Sequence, residues 1–416
     1  MAGAALAQPS LRVDTGTAPD GLRSALLNAA RIQAVMADPG TPAQDILAAA
    51  RADYARLLAV LYEFGYFGPT ISITVNGREV AGVSPFQPPA TVQSVAITVD
   101  PGRPFRLGRA AIAPLPPGAT PPPEFAPGQP AGTALLRRTA EAGIDAWRAA
   151  GHATAAISGQ QIIARQQEAQ LEADISLAPG PVNQFGALIP QGQNRMRADR
   201  IARIAGLPEG ARFDPETLAR VADRLRETGV FSSVGLIEEP RPDTTAIDIR
   251  ADLVEAPLRR IGAGAEIASQ EGLTLSAYWL HRNLWGGAER LRFDAEASGL
   301  GGADGGFDAL LGMQFSRPAD LTPDTTLRFG LQFEHLDEVL FTANSIEAEL
   351  GLAHRFSDNL TGDLAVMARA SDISDAFSDR RVAMLALPGM LVRDSRDAPF
   401  DAASGWYGEA GLTPFT

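Results

Sequence analysis

The chain has 416 residues, of which 45% are hydrophobic and 20% are charged, and it has no cysteine. This length exceeds one ordinary core and predicts roughly two to four folded domains. The net charge of −13 argues against nucleic acid or an anionic membrane surface as a direct partner. The lack of cysteine excludes disulfides and thiolate chemistry. No run reaches the ~18 consecutive apolar residues of a membrane-spanning helix, which is therefore excluded.

The chain begins MAGAALAQ, in which Ala5-Leu6-Ala7 precedes Gln8 in the small-residue pattern of a signal-peptidase site. The charged and long apolar regions that normally precede such a site are missing. We interpret residues 1–8 as the remnant of a signal peptide whose start lies upstream. The alternative is an ordinary alanine-rich N-terminus.

From residue 9 onward, one pattern occurs three times at intervals of about 80 residues, which indicates serial copies of one unit. In each repeat, a helix-like apolar run ends at a glycine, and a run typical of a β-strand follows. These glycines are Gly65, Gly151 and Gly229. We interpret them as residues that end helices in the left-handed conformation, and hence as structural landmarks rather than a binding site.

The third repeat gives the clearest prediction of secondary structure. A strand is predicted at 183–190 and a short helix at 197–207, and Asp214-Pro215 is a favoured start for a second helix. Two alternating runs, 230–238 and 246–253, predict a strand pair. The order is strand, helix, helix, strand, strand. In the first repeat, Thr41-Pro42-Ala43-Gln44 predicts a capping box at a helix start.

This order, together with the glycine-aromatic helix end LYEFGYFG, resembles the polypeptide-transport-associated (POTRA) domain. The resemblance implies α+β POTRA repeats at residues 9–105, 106–182 and 183–257. The exposed sheet edge of such a domain can add a strand from an extended partner through main-chain hydrogen bonds.

From about Arg259, the helical periodicity gives way to strict alternation of apolar and polar residues. Nine such runs follow, at 259–268, 272–281, 288–298, 306–317, 325–336, 345–355, 359–371, 380–393 and 405–413. Several have about 10 residues, whereas strands of soluble proteins usually have about 5–6. The pattern predicts an outer-membrane β-barrel over residues 258–416. The alternative is a soluble β-sandwich whose core covers the apolar face.

POTRA repeats followed by such strands resemble the outer-membrane assembly superfamily of BamA and TamA, also called the bacterial surface antigen family. The number of repeats makes its TamA-like members the most similar, and residues 387–412 look like a strand-turn-strand segment of the family barrel. The resemblance implies an antiparallel barrel of about sixteen strands. Because this chain holds about nine of them, we expect it to be a truncated piece of a longer protein.

The resemblance also implies what the protein does. We expect it in the bacterial outer membrane, with POTRA domains in the periplasm, inserting or translocating client proteins of the autotransporter type. Implied partners are a TamB-like inner-membrane-anchored periplasmic protein, unfolded outer-membrane client proteins and outer-membrane lipid. Two alternatives stay open: a two-partner secretion-type transporter, and a soluble periplasmic scaffold with a β-sandwich.

The first predicted barrel strand, with Ile261, Gly262, Ala263, Gly264 and Ala265, is the candidate functional site. In the family this strand closes against the last one, and their seam is the proposed lateral gate for client strands. Glycine offers no side chain to pack and weakens strand pairing. We expect valine at both glycine positions to strengthen the pairing by about 1 kcal/mol. The alternative is that these glycines relieve crowding at a bulge, in which case valine would destabilise the barrel.

No catalytic or metal-binding pattern is present in the sequence. The four histidines are far apart, and neither a phosphate-binding loop nor a Gly-x-Ser-x-Gly motif occurs. The charge-rich segments 238–239 and 393–397 are typical of solvated loops. We therefore expect no enzyme activity, no cofactor and no metal.

Overall fold

The computed structural model describes residues 10–38, 40–84, 88–269, 272–302 and 306–416. The predicted signal-peptide remnant at residues 1–8 lies outside them. The chain divides between Val182 and Asn183 into two compact parts. We describe each part by itself.

The N-terminal part contains two small α/β repeats. Its elements are β1 (Ser10–Asp14), α1 (Asp20–Ala29), α2 (Ile32–Met36), α3 (Ala43–Glu63), β2 (Thr70–Val75), β3 (Arg78–Glu79), β4 (Ser94–Asp100), β5 (Arg106–Ala113), α4 (Thr133–Ala149), β6 (Ala156–Arg165) and β7 (Gln170–Ala178). The two sheets have the orders β1-β4-β2-β3 and β5-β7-β6. In the first sheet, β4 pairs in parallel with β1 and antiparallel with β2. In the second sheet, β7 pairs in parallel with β5 and antiparallel with β6.

The C-terminal part contains a third repeat and a ten-stranded sheet. The repeat consists of β8 (Gln184–Gln191), α5 (Ala198–Ala205), α6 (Pro215–Glu227), β9 (Phe231–Pro240) and β10 (Ala246–Glu255), with the sheet order β8-β10-β9. The large sheet consists of β11 (Arg259–Ala268), β12 (Gly272–Arg282), β13 (Arg290–Leu300), β14 (Asp308–Arg317), β15 (Thr325–Glu338), β16 (Phe341–Ser357), β17 (Leu360–Asp375), β18 (Asp379–Ala386), β19 (Gly389–Asp394) and β20 (Tyr407–Leu412).

The repeats share a sheet topology but not the predicted number of helices. The third repeat has the predicted order of strand, helix, helix, strand, strand. Among their described residues, the first has three α-helices and a short 3-10 helix at Val80–Gly82, and the second has one α-helix, α4. The segment 114–130 that precedes α4 contains eight prolines. Proline lacks an N–H and clashes with the preceding helical turn, so this segment cannot form the second predicted helix.

The two predicted helix starts have different outcomes. Asp214 caps α6, because its carboxylate accepts the backbone N–H of Thr217 at 2.9 Å. The capping box predicted at 41–44 is wrong. The Thr41 hydroxyl instead donates to the carbonyl oxygen of Val35, at 2.8 Å, and α3 has no side-chain cap.

Each repeat has its own hydrophobic core, formed by a helix stripe and one face of its sheet. The stripe predicted for α3 is buried throughout, at Ile46, Ala50, Leu57 and Leu61. Full burial of such an aliphatic side chain contributes about 1.5–3 kcal/mol. Among the described residues, no helix combines the length and hydrophobicity needed to cross a bilayer.

The alternating runs from residue 259 onward lie in one antiparallel sheet. Its order is β11-β12-β13-β14-β15-β16-β17-β19-β20, and β18 pairs with the remaining length of β17. The single run predicted at 380–393 is two strands, β18 and β19, separated by Leu387-Pro388. Proline has no N–H to give to the ladder, so the strand is interrupted there.

Candidate functional site

One face of the ten-stranded sheet is apolar and exposed. The strand register places Leu291, Phe315, Phe329, Leu350 and Val366 in one row across five strands. Leu350 and Val366 are 54% and 50% exposed. None of the three hydrophobic cores found among the described residues includes a residue of β11–β20. Contiguous apolar surface of this extent is rare on soluble monomers and is typical of a lipid-facing barrel wall.

The opposite face of the same sheet is polar and carries ion pairs. A neighbouring row contains Asp294, Gly312, Gln332, Glu347 and Arg369. Arg369 lies 3.1 Å from Glu334 and 3.6 Å from Glu347. The sheet therefore has the two faces predicted for barrel strands. Its ten strands form one sheet rather than the two facing sheets of a sandwich.

The candidate strand Ile261-Gly262-Ala263-Gly264-Ala265 lies in β11, at one edge of this sheet. Ile261 lies opposite Trp279 on the apolar face and is 75% exposed. Gly262 and Gly264 lie on the polar face. Within the described residues β11 pairs with β12 alone, so its outer edge is open to a further strand.

Gly262 is packed against an aromatic ring, and this crowding argues against the expectation that valine strengthens the strand. Tyr278 lies directly opposite Gly262, and a Cβ at position 262 would be 2.2 Å from a ring carbon of Tyr278. The guanidinium of Arg292 lies 4.5 Å from the ring centroid and is bound by Asp294 at 2.6 Å. A ring over a cross-strand glycine fills the space that the missing side chain leaves. At Gly264, the nearby atom is the Ser276 hydroxyl oxygen.

The three landmark glycines all have a left-handed backbone, with φ of +86° at Gly65, +88° at Gly151 and +65° at Gly229. Gly65 has a second feature that sequence reasoning missed. A Cβ at Gly65 would lie 2.1 Å from the carbonyl oxygen of Ala131, and a Cβ at Gly132 would lie 2.3 Å from that of Glu63. The end of α3 thus packs backbone against backbone on the start of α4. This contact joins the first and second repeats, and no local pattern reveals it.

Two repeats have a long strand at the edge of their sheet. These are β6 in the second repeat and β9 in the third, with ten residues each. In β6, Ile162 and Ile163 are 44% and 41% exposed on opposite faces. Ile162 lies opposite the buried Ala173 and therefore on the side of the sheet that faces α4. A long edge beside exposed apolar side chains can pair with an extended segment of another chain.

The third repeat contains a carboxylate that orders the loop before α5. Glu255 accepts the backbone N–H groups of Asn194, Arg195 and Met196 at 2.8–2.9 Å. Burial raises the pKa of this carboxyl, but the three hydrogen bonds outweigh it and hold the pKa below its usual value. In the described part of the chain, no group of three or more histidine, aspartate or glutamate residues could hold a metal ion.

Comparison with solved structures identifies proteins with a similar arrangement. The crystal structure of BamA from Haemophilus ducreyi lacking POTRA domains 1-3 matches with a TM-score of 0.54 and 15% identity, over 70% of this chain and 59% of that chain. CdiB from Acinetobacter baumannii matches with a TM-score of 0.43 and 11% identity, over 75% and 62%. BamA POTRA3-5 from Haemophilus influenzae matches with a TM-score of 0.41 and 14% identity, over 59% and 95%. No family model and no curated protein matches the sequence.

The likeness to Haemophilus ducreyi BamA shows the fold alone, which consists of POTRA-like repeats followed by strands similar to those of the BamA barrel. The predicted fold class is confirmed at this level. The chain spans 59% of the length of that BamA structure.

Proposed function

We propose that this chain belongs to an outer-membrane protein that inserts or secretes other proteins, with its POTRA-like repeats in the periplasm. The observation that carries the proposal is the exposed apolar face of β11–β20, opposite a face of ion-paired polar side chains. In a bilayer every backbone polar group needs a partner, so strands span membranes only as closed barrels. A barrel attached to repeats with open sheet edges can receive extended chains.

The open edges favour unfolded protein clients. A client strand added to β6 would be held by main-chain hydrogen bonds, which all sequences can form. Ile162 and the neighbouring helix α4 would contact alternate client side chains. In the C-terminal part, the outer edge of β11, unpaired among the described residues, offers a second row of N–H and C=O groups to which a client strand could pair.

Within this class, we place the protein with the TamA-like members. The number of POTRA-like repeats supports this assignment, since two-partner secretion transporters have fewer. It implies autotransporter-type clients and a TamB-like partner anchored in the inner membrane. The alternative within the class is a secretion transporter dedicated to one client.

The proposal is tested by depleting the full-length protein in the bacterium that encodes it. We expect the outer membrane to lose several barrel proteins, measured by mass spectrometry and by heat-dependent gel mobility of the remaining barrels. Loss of one secreted protein, with an unchanged barrel population, would instead favour the dedicated transporter. If neither the barrel proteins nor the secreted proteins change in amount, the proposed function is wrong.

The role of β6 gives a separate prediction. Ile162→Lys in the full-length protein should weaken binding of an extended barrel-strand peptide by roughly tenfold, because losing one apolar contact costs about 1.4 kcal/mol. The matched control is Ile163→Lys, on the face of the strand away from α4. Both side chains are more than 40% exposed, so neither change should unfold the repeat. Fluorescence anisotropy of a labelled peptide measures both affinities, and equal affinities would contradict this binding mode.

A further inference from the structure

Two turns of the barrel sheet belong to the hydrophobic core of the third POTRA-like repeat. Ala288 lies in the turn between β12 and β13, and Ala319 in the turn between β14 and β15. They are 2% and 0% exposed, and they pack in one cluster with Ile201 and Ile204 of α5. The core of this repeat is therefore completed by residues of two neighbouring barrel hairpins.

Both alanines have a backbone conformation that favours glycine, with φ of +64° at Ala288 and +50° at Ala319. The left-handed conformation costs a non-glycine residue about 1 kcal/mol. Burial of the two methyl groups offsets this cost. Local strain of this kind persists where the surrounding structure fixes the residue, which indicates that both turns are held in defined positions.

Arg200 of α5 holds the same two turns. Its Nη2 donates to the carbonyl oxygens of Pro318 at 2.6 Å and Gly287 at 3.4 Å, and its Nη1 donates to that of Ala319 at 3.3 Å. The side chain is almost fully buried. Burial lowers the pKa of its guanidinium, and the nearby Arg317 lowers it further. Separating a buried cation from these acceptors is costly, so the turns and α5 resist being pulled apart.

Three ion pairs of α6 extend this contact across the sheet, the longest being Arg220 with Asp358 at 3.9 Å. Arg224 of α6 binds Asp324 through two hydrogen bonds of 2.8 Å. Glu227, one turn later on α6, binds Arg355 near the end of β16 at 2.6 and 2.8 Å. With Arg200, these contacts attach the repeat to the ends of β12 through β16.

Residues 256–258, which link the repeat to the barrel sheet, are held by hydrogen bonds on both sides. The backbone N–H of Ala256 donates to Val230 of the repeat at 2.7 Å. On the other side, Arg282 at the end of β12 donates its backbone N–H to Leu258 at 2.7 Å and its side chain to Pro257 at 2.9 Å. A segment of three residues bonded on both sides leaves no free length for a hinge.

We propose that the third repeat and the barrel sheet move as one body, and that Arg200 is the positioning residue that fixes them to each other. A displacement of the repeat, such as one caused by a bound partner, is then passed to β11 instead of being absorbed in the link. The use of this motion rests on the proposed function, because β11 is where a client strand would pair. The attachment of the repeat to the barrel sheet does not rest on the proposed function, and it can be measured without any client.

The test uses two cysteines introduced at the exposed positions Glu209, between α5 and α6, and Asn359, between β16 and β17. This chain has no cysteine of its own, and any cysteine in the rest of the full-length protein is replaced by serine, so that only these two thiols are labelled. Spin labels there report the distance from the repeat to the barrel by pulsed electron paramagnetic resonance on the full-length protein in detergent. We expect one narrow distance distribution in the parent protein. Arg200→Ala, and also Arg200→Lys, should lose it, since one ammonium cannot serve both turns.

The matched control is Arg226→Ala, which removes an exposed arginine of α6 whose ion pair is with Asp223 of the same helix. This variant should keep the narrow distribution. Heat-dependent gel mobility establishes that each variant has a folded barrel. If Arg200→Ala does not fold, Arg200→Lys and Arg200→Gln are measured instead, since each keeps part of the side-chain packing but cannot bond both turns, and both should broaden the distribution. A narrow distribution in the folded Arg200 variants, or a broad one in the parent, overturns the proposal.

Discussion

Replacing Gly262 by valine is expected to destabilise the barrel by about 1–3 kcal/mol, the usual cost of overpacking a tight site. The new Cβ would occupy the place of the Tyr278 ring, 2.2 Å from its nearest carbon. The ring would have to turn away, and its contact with Arg292 would be lost. The thermal unfolding transition of the full-length protein should move to a lower temperature. It is measured as gel mobility after heating to a series of temperatures.

The control for this prediction is Gly264→Ala on the same face of β11. Its new methyl group meets the Ser276 hydroxyl oxygen, which can rotate aside, so the transition should change little. Combining Gly262→Val with Tyr278→Ala should recover part of the loss, because the clash is removed. If Gly262→Val alone stabilises the barrel, Tyr278 does not depend on this glycine, and weak pairing at β11 is again the better explanation.

Gly65→Ala is expected to cost about 2–4 kcal/mol, since it combines two of the mechanisms behind large mutational effects. One is the left-handed backbone at φ of +86°, which an alanine adopts at a cost of about 1 kcal/mol. The other is the approach of 2.1 Å between the new Cβ and the carbonyl oxygen of Ala131, where neither side is a flexible side chain. Hydrogen exchange of the full-length protein should show lost protection at the end of α3 and the start of α4.

Gly229→Ala is the matched comparison, because this glycine also follows a helix and has φ of +65°. Among the described residues, apart from its chain neighbours, no atom lies within 4 Å of its added Cβ, so only the conformational cost of about 1 kcal/mol applies. Protection of α6 should fall less than protection of α3 does in Gly65→Ala. Equal losses would show that the contact between α3 and α4 adds nothing at Gly65.

The periodicity of apolar residues is enough to predict α+β repeats in the first half of the chain and long strands in the second, because periodicity depends only on nearby residues. Alternation located the barrel strands, and the helix stripe of α3 is the buried one. Local chemistry was less reliable. Asp214 and Thr41 were both plausible caps, and only Asp214 accepts the backbone hydrogen bonds. The Thr41 hydroxyl had a carbonyl oxygen of α2 within reach, and no sequence pattern ranks such competing partners.

The features that sequence reasoning missed are contacts between distant segments. Gly262 reads as a weak strand residue until the register places Tyr278 opposite it. Gly65 reads as an ordinary helix end until Ala131 is brought against it. Arg200 reads as one of many surface arginines, although it lies buried against turns more than 80 residues away along the chain. Such close approaches are set by tertiary packing, which a one-dimensional pattern does not encode.

The strands of the barrel sheet differ in length. β16 and β17 have 17 and 16 residues, whereas β11 has 10. A tilted strand crosses a bilayer with about 9–11 residues, so the longer strands extend about five residues farther. Their far ends, at 338–341 and 375–379, are opposite the ends bound by the third repeat. If that repeat lies in the periplasm, as proposed, these far ends would extend past the outer surface of the membrane.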